Sequence, residues 1–341
     1  MLSLLHQNPW LISTPKNDEG CPLRMVMAVI LLCNDDGVES PYLLGLASEL
    51  QRRNHRVLIY APFQDQSGRS MALTLRKDVE TNERSDLFER MDLDPSNPYP
   101  SIHEIDGTPC DCIILAIDGY IEHNGDPKPD LCISGINVGP NMSVDLLHSG
   151  TVAAAREASL YGLPSIASSI AKHDPSVDPT NAIKITSDLA EYVLQYALAG
   201  GNEYRRPGRS NSKIEFDGED STLAKMFGQG DIYLNLNIPE VCTGRIQAST
   251  VGARWYTGAC NISEDGESKT LRVGSLAIED DDIGGVASDS LSKGYASLSC
   301  LASWPQLHPL NVGDRALNQA NIPGPDGLPR WINQNNSLED Y

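Results

Sequence analysis

The sequence predicts an α/β fold: a mostly parallel sheet with helices on both faces. Three observations carry this. Short β-rich apolar runs alternate with longer amphipathic stretches from residue 25 onward, the pattern of β–α–β units. The first runs are apolar along most of their length, as strands buried on both faces are. Each run then stops at a small polar cluster, and sheets of this class bind ligands beyond the C-terminal ends of their strands.

The elements follow in order. MVMAVILLC (25–33) is the first strand. SPYLLGLASELQRRNH (40–55) is a helix in which Ser40 is placed to cap, Pro41 suits the first turn, and Leu43, Leu46, Ala47 and Leu50 share one face. RVLIYAP (56–62) is the next strand. GTPCDCIILAI (107–117) opens a helix with Thr108 as cap, Pro109 in the first turn and Asp111 placed for a reciprocal cap. PDLCISGIN (129–137) is a strand, GTVAAAREASLYG (150–162) an Ala-rich helix closed by Gly162, and LPSIASSI (163–170) a strand. NAIKITSDLAEYVLQYALAG (181–200) is a helix, and DIYLNLNIP (231–239) alternates, with Ile232, Leu234, Leu236 and Ile238 on one face. Residues 200–230 are polar without a clear period and read as an insertion, because a long structureless loop is uncommon inside a compact domain. Residues 260–290 are acidic with short β-like pieces such as KTLRVG, and the Pro-, Gly- and Asn-rich residues 305–341 read as a surface tail. Residues 1–25 read as an N-terminal extension, since they lack a signal peptide's basic start and unbroken apolar run. The α/β domain is thus expected over 26–304.

A chain of 341 residues with 40% hydrophobic content can form one such domain with additions. A formal net charge of −20 argues against DNA as a partner. No apolar stretch approaches the ~18–20 residues of a membrane span. The eight cysteines are spread singly, with no CxxC pair, which argues against a zinc knuckle. Cys33, Cys112 and Cys132 lie in or beside apolar runs, where a free thiol is a small hydrophobe. A reducing, cytoplasmic location is expected.

Four polar clusters bear on chemistry. Asn34-Asp35-Asp36-Gly37 places adjacent carboxylates at a strand end, an oxygen-rich site suited to Mg²⁺ or Mn²⁺; an ordinary Asx–Gly turn gives the same letters. Ser67-Gly68-Arg69-Ser70 exposes N–H groups and hydroxyls that suit an oxyanion or a metal's outer ligands, as many plain Ser–Gly loops do. Ser134-Gly135-Ile136-Asn137, followed by Asn141, offers an amide to a metal or a phosphate, or is a Gly/Asn turn. His148-Ser149-Gly150-Thr151 opens a helix, where free N–H groups and the positive dipole end favour phosphate; Ser149 is equally an ordinary N-cap. His148 is either a general acid or a solvent-facing loop residue. Independent turns have no reason to gather carboxylates, hydroxyls, amides and a helix start at one sheet edge. Metal-assisted phosphoryl transfer to water uses all of them.

At these residues the sequence resembles the SurE-type survival proteins, metal-dependent 5′-nucleotidases and acid phosphatases. The stretches ILLCNDDGVESPYLLGLASEL, VLIYAPFQDQSGRSMALTL, GTPCDC, PDLCISGINVGPN and HSGTVAAAREASLYGLPSIASS carry the resemblance, with gaps, from about Ile30 to Leu301. It implies a Rossmann-like fold with a C-terminal β-arm, over about 240–285, that makes oligomer contacts in a homodimer or homotetramer. It implies a metal site of Asp35, Asp36, Ser67 and Asn137 and phosphate contacts at Ser149, Gly150 and Thr151, helped by Gly68 and Ser70. Asn34 and Asn141 match pocket positions. Three features depart from the family pattern: the N-terminal extension, the lengthened 200–230 and 261–290 segments, and His148 where Tyr is more usual.

The expected function is hydrolysis of nucleoside 5′-monophosphates with one Mg²⁺ or Mn²⁺ per subunit, with short polyphosphate a further candidate substrate. Asp35, Asp36 and Asn137 are the expected catalytic group. Two other readings share some of these residues. A haloacid-dehalogenase-type phosphatase wants two Asp separated by one residue, whereas Asp35 and Asp36 are adjacent. A non-catalytic, Mg²⁺-dependent nucleotide- or phosphate-binding regulator also places paired acids at a strand end, but has no need of a second phosphate site at 149–151.

Overall fold

A computed structural model describes residues 27–91, 100–194, 213–265, 268–274 and 277–332. The N-terminal extension, the start of the 200–230 stretch and the last residues of the tail lie outside the described residues.

The chain builds β1 (Val29–Cys33), α1 (Pro41–Arg52), β2 (Arg56–Pro62), β3 (Thr81–Glu83), β4 (Ser101–Ile105), α2 (Pro109–Leu115), α3 (Ile121–His123), β5 (Leu131–Val138), α4 (Gly150–Leu160), β6 (Ser165–Ile170), α5 (Thr180–Tyr192), α6 (Asp220–Gly228), β7 (Ile232–Ile238), β8 (Ile246–Ala248), β9 (Arg254–Thr257), β10 (Cys260–Asp265), β11 (Ser268–Val273), β12 (Ala277–Asp280), α7 (Ala287–Ser292), β13 (Ala296–Ala302) and α8 (Asp314–Ala320). Nine strands form one sheet in the order β3-β4-β2-β1-β5-β6-β7-β13-β8. The six strands from β4 to β7 pair in parallel, whereas β3 and β13 join antiparallel to β4 and β7. This is the mostly parallel α/β fold the apolar runs predict. Two antiparallel hairpin-like pairs, β10–β11 and β9–β12, stand apart from the sheet. They occupy the region expected to form the arm.

Each face of the sheet carries its own apolar layer. One joins Leu43, Leu46 and Leu50 of α1 to Ile30, Ile59, Ile133 and the α5 residues Ile185 and Leu189. The other packs Leu31, Leu58 and Cys132 under Cys112 and Ile113 of α2 and Ala154 and Ala158 of α4. Small alanines let α4 lie close on the strands.

The helix signals are realised unevenly. Thr108 accepts from the Asp111 N–H at 3.2 Å, and the Asp111 carboxylate accepts from the Thr108 N–H at 2.8 Å, the reciprocal cap expected of this spacing. Thr108→Ala is expected to cost about 1 kcal/mol, seen as a lower Tm in thermal unfolding, with Thr108→Ser recovering most of it. Ser40 does occupy the N-cap of α1 but makes no side-chain cap bond. Pro41 and the Ser40 N–H bond to Gly37 at 3.1 Å start that helix instead.

Two polar-looking regions are more integral than the sequence suggests. Within 200–230, residues 220–228 form α6, whose Leu223, Met226 and Phe227 are buried in the core. Its four apolar residues, Leu223, Ala224, Met226 and Phe227, do not stand out in the sequence among the flanking Gly, Asp and Lys residues. The tail also enters the core: Trp331 is fully buried against Phe227, with ring centres 5.4 Å apart, and its indole N–H donates to the Ala320 carbonyl at 3.1 Å. Among the described residues, no helix is long and apolar enough to cross a membrane.

Candidate active site

The site is assembled where β1, β2 and β5 end and α4 begins. Gly37, at φ +102°, lets the chain turn away after Asp36 and lie against the backbone of Phe63 and Gln64. The two carboxylates then point to different anchors. Asp35 is buried at 3% exposure, and both the hydroxyl and the N–H of Thr151 donate to it. Asp36, half-buried, accepts from the N–H of Val138 at the end of β5. The first acid therefore ties β1 to α4 and the second ties it to β5.

Charge is expensive in this place. Burial pushes the Asp35 carboxyl above its ordinary value, and the Thr151 bonds only partly oppose it. Burial, then Asp35, then Asp65 push Asp36 from 3.8 up to about 7. Asp65 is a third acid that the sequence reading passed over. It accepts from the Ser67 N–H at 2.7 Å and from the Ser67 hydroxyl at 2.5 Å, and its field reaches both Asp35 and Asp36. The signal for it was Asp two residues before Ser in a turn at the end of a strand.

The neutral groups divide into those with a side-chain oxygen left to accept and those holding the frame. Asn137, 9% exposed, donates its amide to the Gly139 carbonyl at 2.8 Å, which leaves its side-chain oxygen as an acceptor. Asn34 donates to the Gly37 carbonyl at 2.9 Å, and its own Oδ1 is buried without a hydrogen-bond partner. Asp36 Oδ2 is buried and unpartnered too. Asn141 is part of the frame: its N–H donates to Asn237, its amide to Ser169, and its carbonyl accepts from both Asn235 and Asn237. Those two Asn residues lie on the face of β7 opposite its aliphatic residues, a role the alternating pattern did not reveal.

At the helix start, Ser149 accepts from the Val152 N–H at 3.1 Å, the ordinary N-cap bond. Gly150 lies so close to Asp35 that an added Cβ would stand 2.8 Å from its Cβ. Thr151 is fully buried, with its hydroxyl committed to Asp35. Gly68 (φ +74°) and Ser70 (φ +53°) shape an exposed loop, and Ser70 is pinned to the Leu147 carbonyl at 2.7 Å and to the His148 carbonyl at 3.0 Å. His148 itself is exposed. A cavity of about 330 Å³ elsewhere, lined by Ile105, Leu115, Tyr120 and His123 among others, is separate from this cluster.

The donors suit a hard divalent cation. All are oxygens, two are carboxylates whose charge the fold alone does not compensate, and two buried oxygens await a partner. Among the described residues no three His, Cys, Asp or Glu side chains form a metal cluster. Any cation here would therefore rest on two acids with amide and hydroxyl oxygens.

Comparison with known proteins shows what the whole chain resembles. The family described as "Survival protein SurE" matches residues 30–258. A protein named 5′-nucleotidase SurE from Chromobacterium violaceum is 30% identical over 291 residues, covering 80% of this chain and 98% of that protein. A protein of the same name from Sorangium cellulosum is 31% identical over 278 residues, covering 80% and 89%. The crystal structure of the SurE protein from Aquifex aeolicus superposes with a TM-score of 0.59 at 26% identity, covering 82% of this chain and 95% of that one.

Proposed function

The chain belongs to the SurE family, and from that premise we propose that it is a divalent-metal-dependent phosphomonoesterase cleaving nucleoside 5′-monophosphates to nucleoside and phosphate. The observation that carries this is the contact between Asp35 and the start of α4, which puts paired acids and an anion-favouring helix end side by side.

Asp35, Asp36, Asn137 and Ser67 would hold one Mg²⁺ or Mn²⁺ per subunit, with the unpartnered Asn34 and Asp36 oxygens facing the same need. When bound, the ion supplies Lewis-acid charge to a phosphoryl oxygen. The Ser149 hydroxyl and the Gly150 N–H, at the positive end of α4, attract the remaining phosphate oxygens. Thr151 serves the same end by orienting Asp35, its hydroxyl being committed there. Gly68 and Ser70 border the phosphate from the second loop. Short polyphosphate would use the same edge.

Two wider properties follow in the same proposal. Ile262, Leu271 and Val273 are exposed on β10–β11, a surface suited to subunit contacts in a homodimer or homotetramer. The seven described cysteines are all free, which supports a reducing, cytoplasmic location.

The test is phosphate release from a panel of nucleoside 5′-monophosphates and from an aryl phosphate. Release is expected with Mn²⁺ or Mg²⁺, lost in EDTA and restored by added metal. Turnover that ignores EDTA would overturn the metal site, and no turnover with any metal would leave a nucleotide-binding regulator.

A further inference from the structure

Arg254 opens β9, at the root of the hairpins, more than 100 positions from the helix start it bears on. Its side chain is 7% exposed. Across the β9–β12 pair, its Nε and Nη2 each hold an oxygen of Asp280 at 2.8 Å. Its Nη1 reaches out of the hairpin to Asp145 Oδ2 at 3.1 Å, and its backbone N–H donates to Ser143 Oγ at 2.9 Å. Two residues on, the Tyr256 hydroxyl donates to Asp145 Oδ1. The hairpin root thus grips one segment, 143–145, with three donors.

Residues 143–147 form a short 3₁₀ turn in which no residue is fully buried; Leu146, partly buried, packs against Val152, Ala155, Ala167 and Tyr233, and Asp145 itself is held by directional bonds. Within the turn, the Met142 N–H also donates to Asp145 Oδ2 at 3.2 Å. The Asp145 carbonyl accepts the N–H groups of His148 at 3.0 Å and Ser149 at 2.9 Å. Ser149 is the cap of α4, and Gly150 and Thr151 rest on Asp35. The same turn also receives Ser70 at Leu147 and His148. A continuous set of directional bonds therefore runs from Arg254 through Asp145 to the helix start. Burial works against the Arg254 charge, and the Asp280 and Asp145 carboxylates outweigh it. A guanidinium fork is the group that can satisfy two carboxylates on different elements at once.

We propose that Arg254 is a positioning residue for the phosphate edge, fixing Asp145 and through it the Ser149–Thr151 helix start, so that the hairpin root and the active site are one mechanical unit. The inference rests on reading Ser149 and Gly150 as phosphate contacts. It extends that reading to a residue outside the pocket.

The experiment compares Arg254→Ala, Arg254→Lys, Asp145→Asn and the Arg254→Ala/Asp145→Asn pair in the full chain. Amide hydrogen exchange is read alongside aryl phosphate kinetics and inhibition by inorganic phosphate. Arg254→Ala is expected to speed exchange over 145–152 but not over 29–33. It is also expected to lower kcat/KM and weaken phosphate inhibition by ~10- to 100-fold, the scale of an ångström-sized misplacement. The Mn²⁺ concentration for half-maximal activity should stay put. Asp145→Asn should reproduce this, the pair should be no worse than the more damaging single change, and Arg254→Lys should recover part of the loss. Lys269→Ala, which breaks the Lys269–Glu264 pair out on β10–β11, should leave all readouts unchanged.

Wild-type exchange over 145–152 in Arg254→Ala would overturn the inference. If that variant unfolds globally, Asp145→Asn decides, and unaltered local exchange there would overturn it equally. Equal damage from Lys269→Ala would overturn it too, by showing that any change in the hairpins suffices. Should the wild-type protein release no phosphate from any ester, the phosphatase reading fails by itself, and the exchange data still judge the positioning role.

Discussion

Asp36→Asn is expected to cut metal-supported phosphate release about 10³-fold or more while making the metal-free protein more stable at pH 8. The activity loss follows from removing one of only two carboxylates available to the cation, a contribution of several kcal/mol to the reaction. The stability gain follows from the sign of the Asp36 shift. Between the ordinary 3.8 and about 7, folded Asp36 keeps a proton that the unfolded chain has already released. The fold then binds more protons, so stability falls as pH rises through that window and stays lower above it. An amide has no charge to bury, and at pH 8 in EDTA its advantage is on the order of 2–4 kcal/mol. Thermal unfolding at pH 5 and pH 8, with and without Mn²⁺, checks all of this. The cation should raise the wild-type Tm at pH 8 and do little for the variant. Undiminished turnover by the variant would sink the metal assignment, and equal Tm values for the two proteins at pH 8 in EDTA would show that the buried Asp36 charge does not cost stability.

Gly150→Ala should also damage activity, although it replaces no side chain that would hold the metal. The added Cβ would stand 2.8 Å from Asp35 Cβ and 2.9 Å from Asp35 Oδ2, so the carboxylate and the helix start must part. Asp35 lies in the bend two residues beyond β1 and Gly150 is the first residue of an Ala-packed helix, and with stiff elements behind both, neither can yield cheaply. A loss near 10²-fold in kcat/KM is expected, the cost of a roughly 1 Å displacement of aligned groups. Gly284→Ala, where an added Cβ meets nothing within 4 Å, is the control. Kinetics on one nucleoside 5′-monophosphate for both variants, with circular dichroism to show the fold intact, decides it. Wild-type activity in Gly150→Ala would mean that the Asp35–helix contact is not part of the machinery.

What the sequence disclosed depended on how local each feature was. The strand-end acids, the capping box at Thr108 and the Ala-rich helix behind Ser149 are written in a few consecutive residues. Their shared location followed from the rule that parallel strands present one edge. Asp65 and the Asn141–Asn235–Asn237 network were missed because their importance lies in contacts between distant segments, with no local spacing to announce them. Thr151 shows the same limit. Its place at a helix start is legible, but its hydroxyl goes to an acid 116 positions away. The strand β4 hides behind His103 and Glu104, polar residues that become buried once β2 and β3 flank it. Similarly, α6 and Trp331 look like solvent-facing chain until the last layer of the core assembles around them.

The two rims of the sheet have a bearing on how copies of the molecule avoid sticking together. One rim is β3, only Thr81-Asn82-Glu83 and wholly exposed; the other is β8, also three residues long, with its Ala248 N–H already taken by the Gly327 carbonyl at 2.7 Å. Neither offers a long row of open backbone groups on which a foreign strand could template itself, and a charged side chain on the first adds to the deterrent. The nine-stranded sheet thus ends, on both rims, in strands too short to template a foreign one.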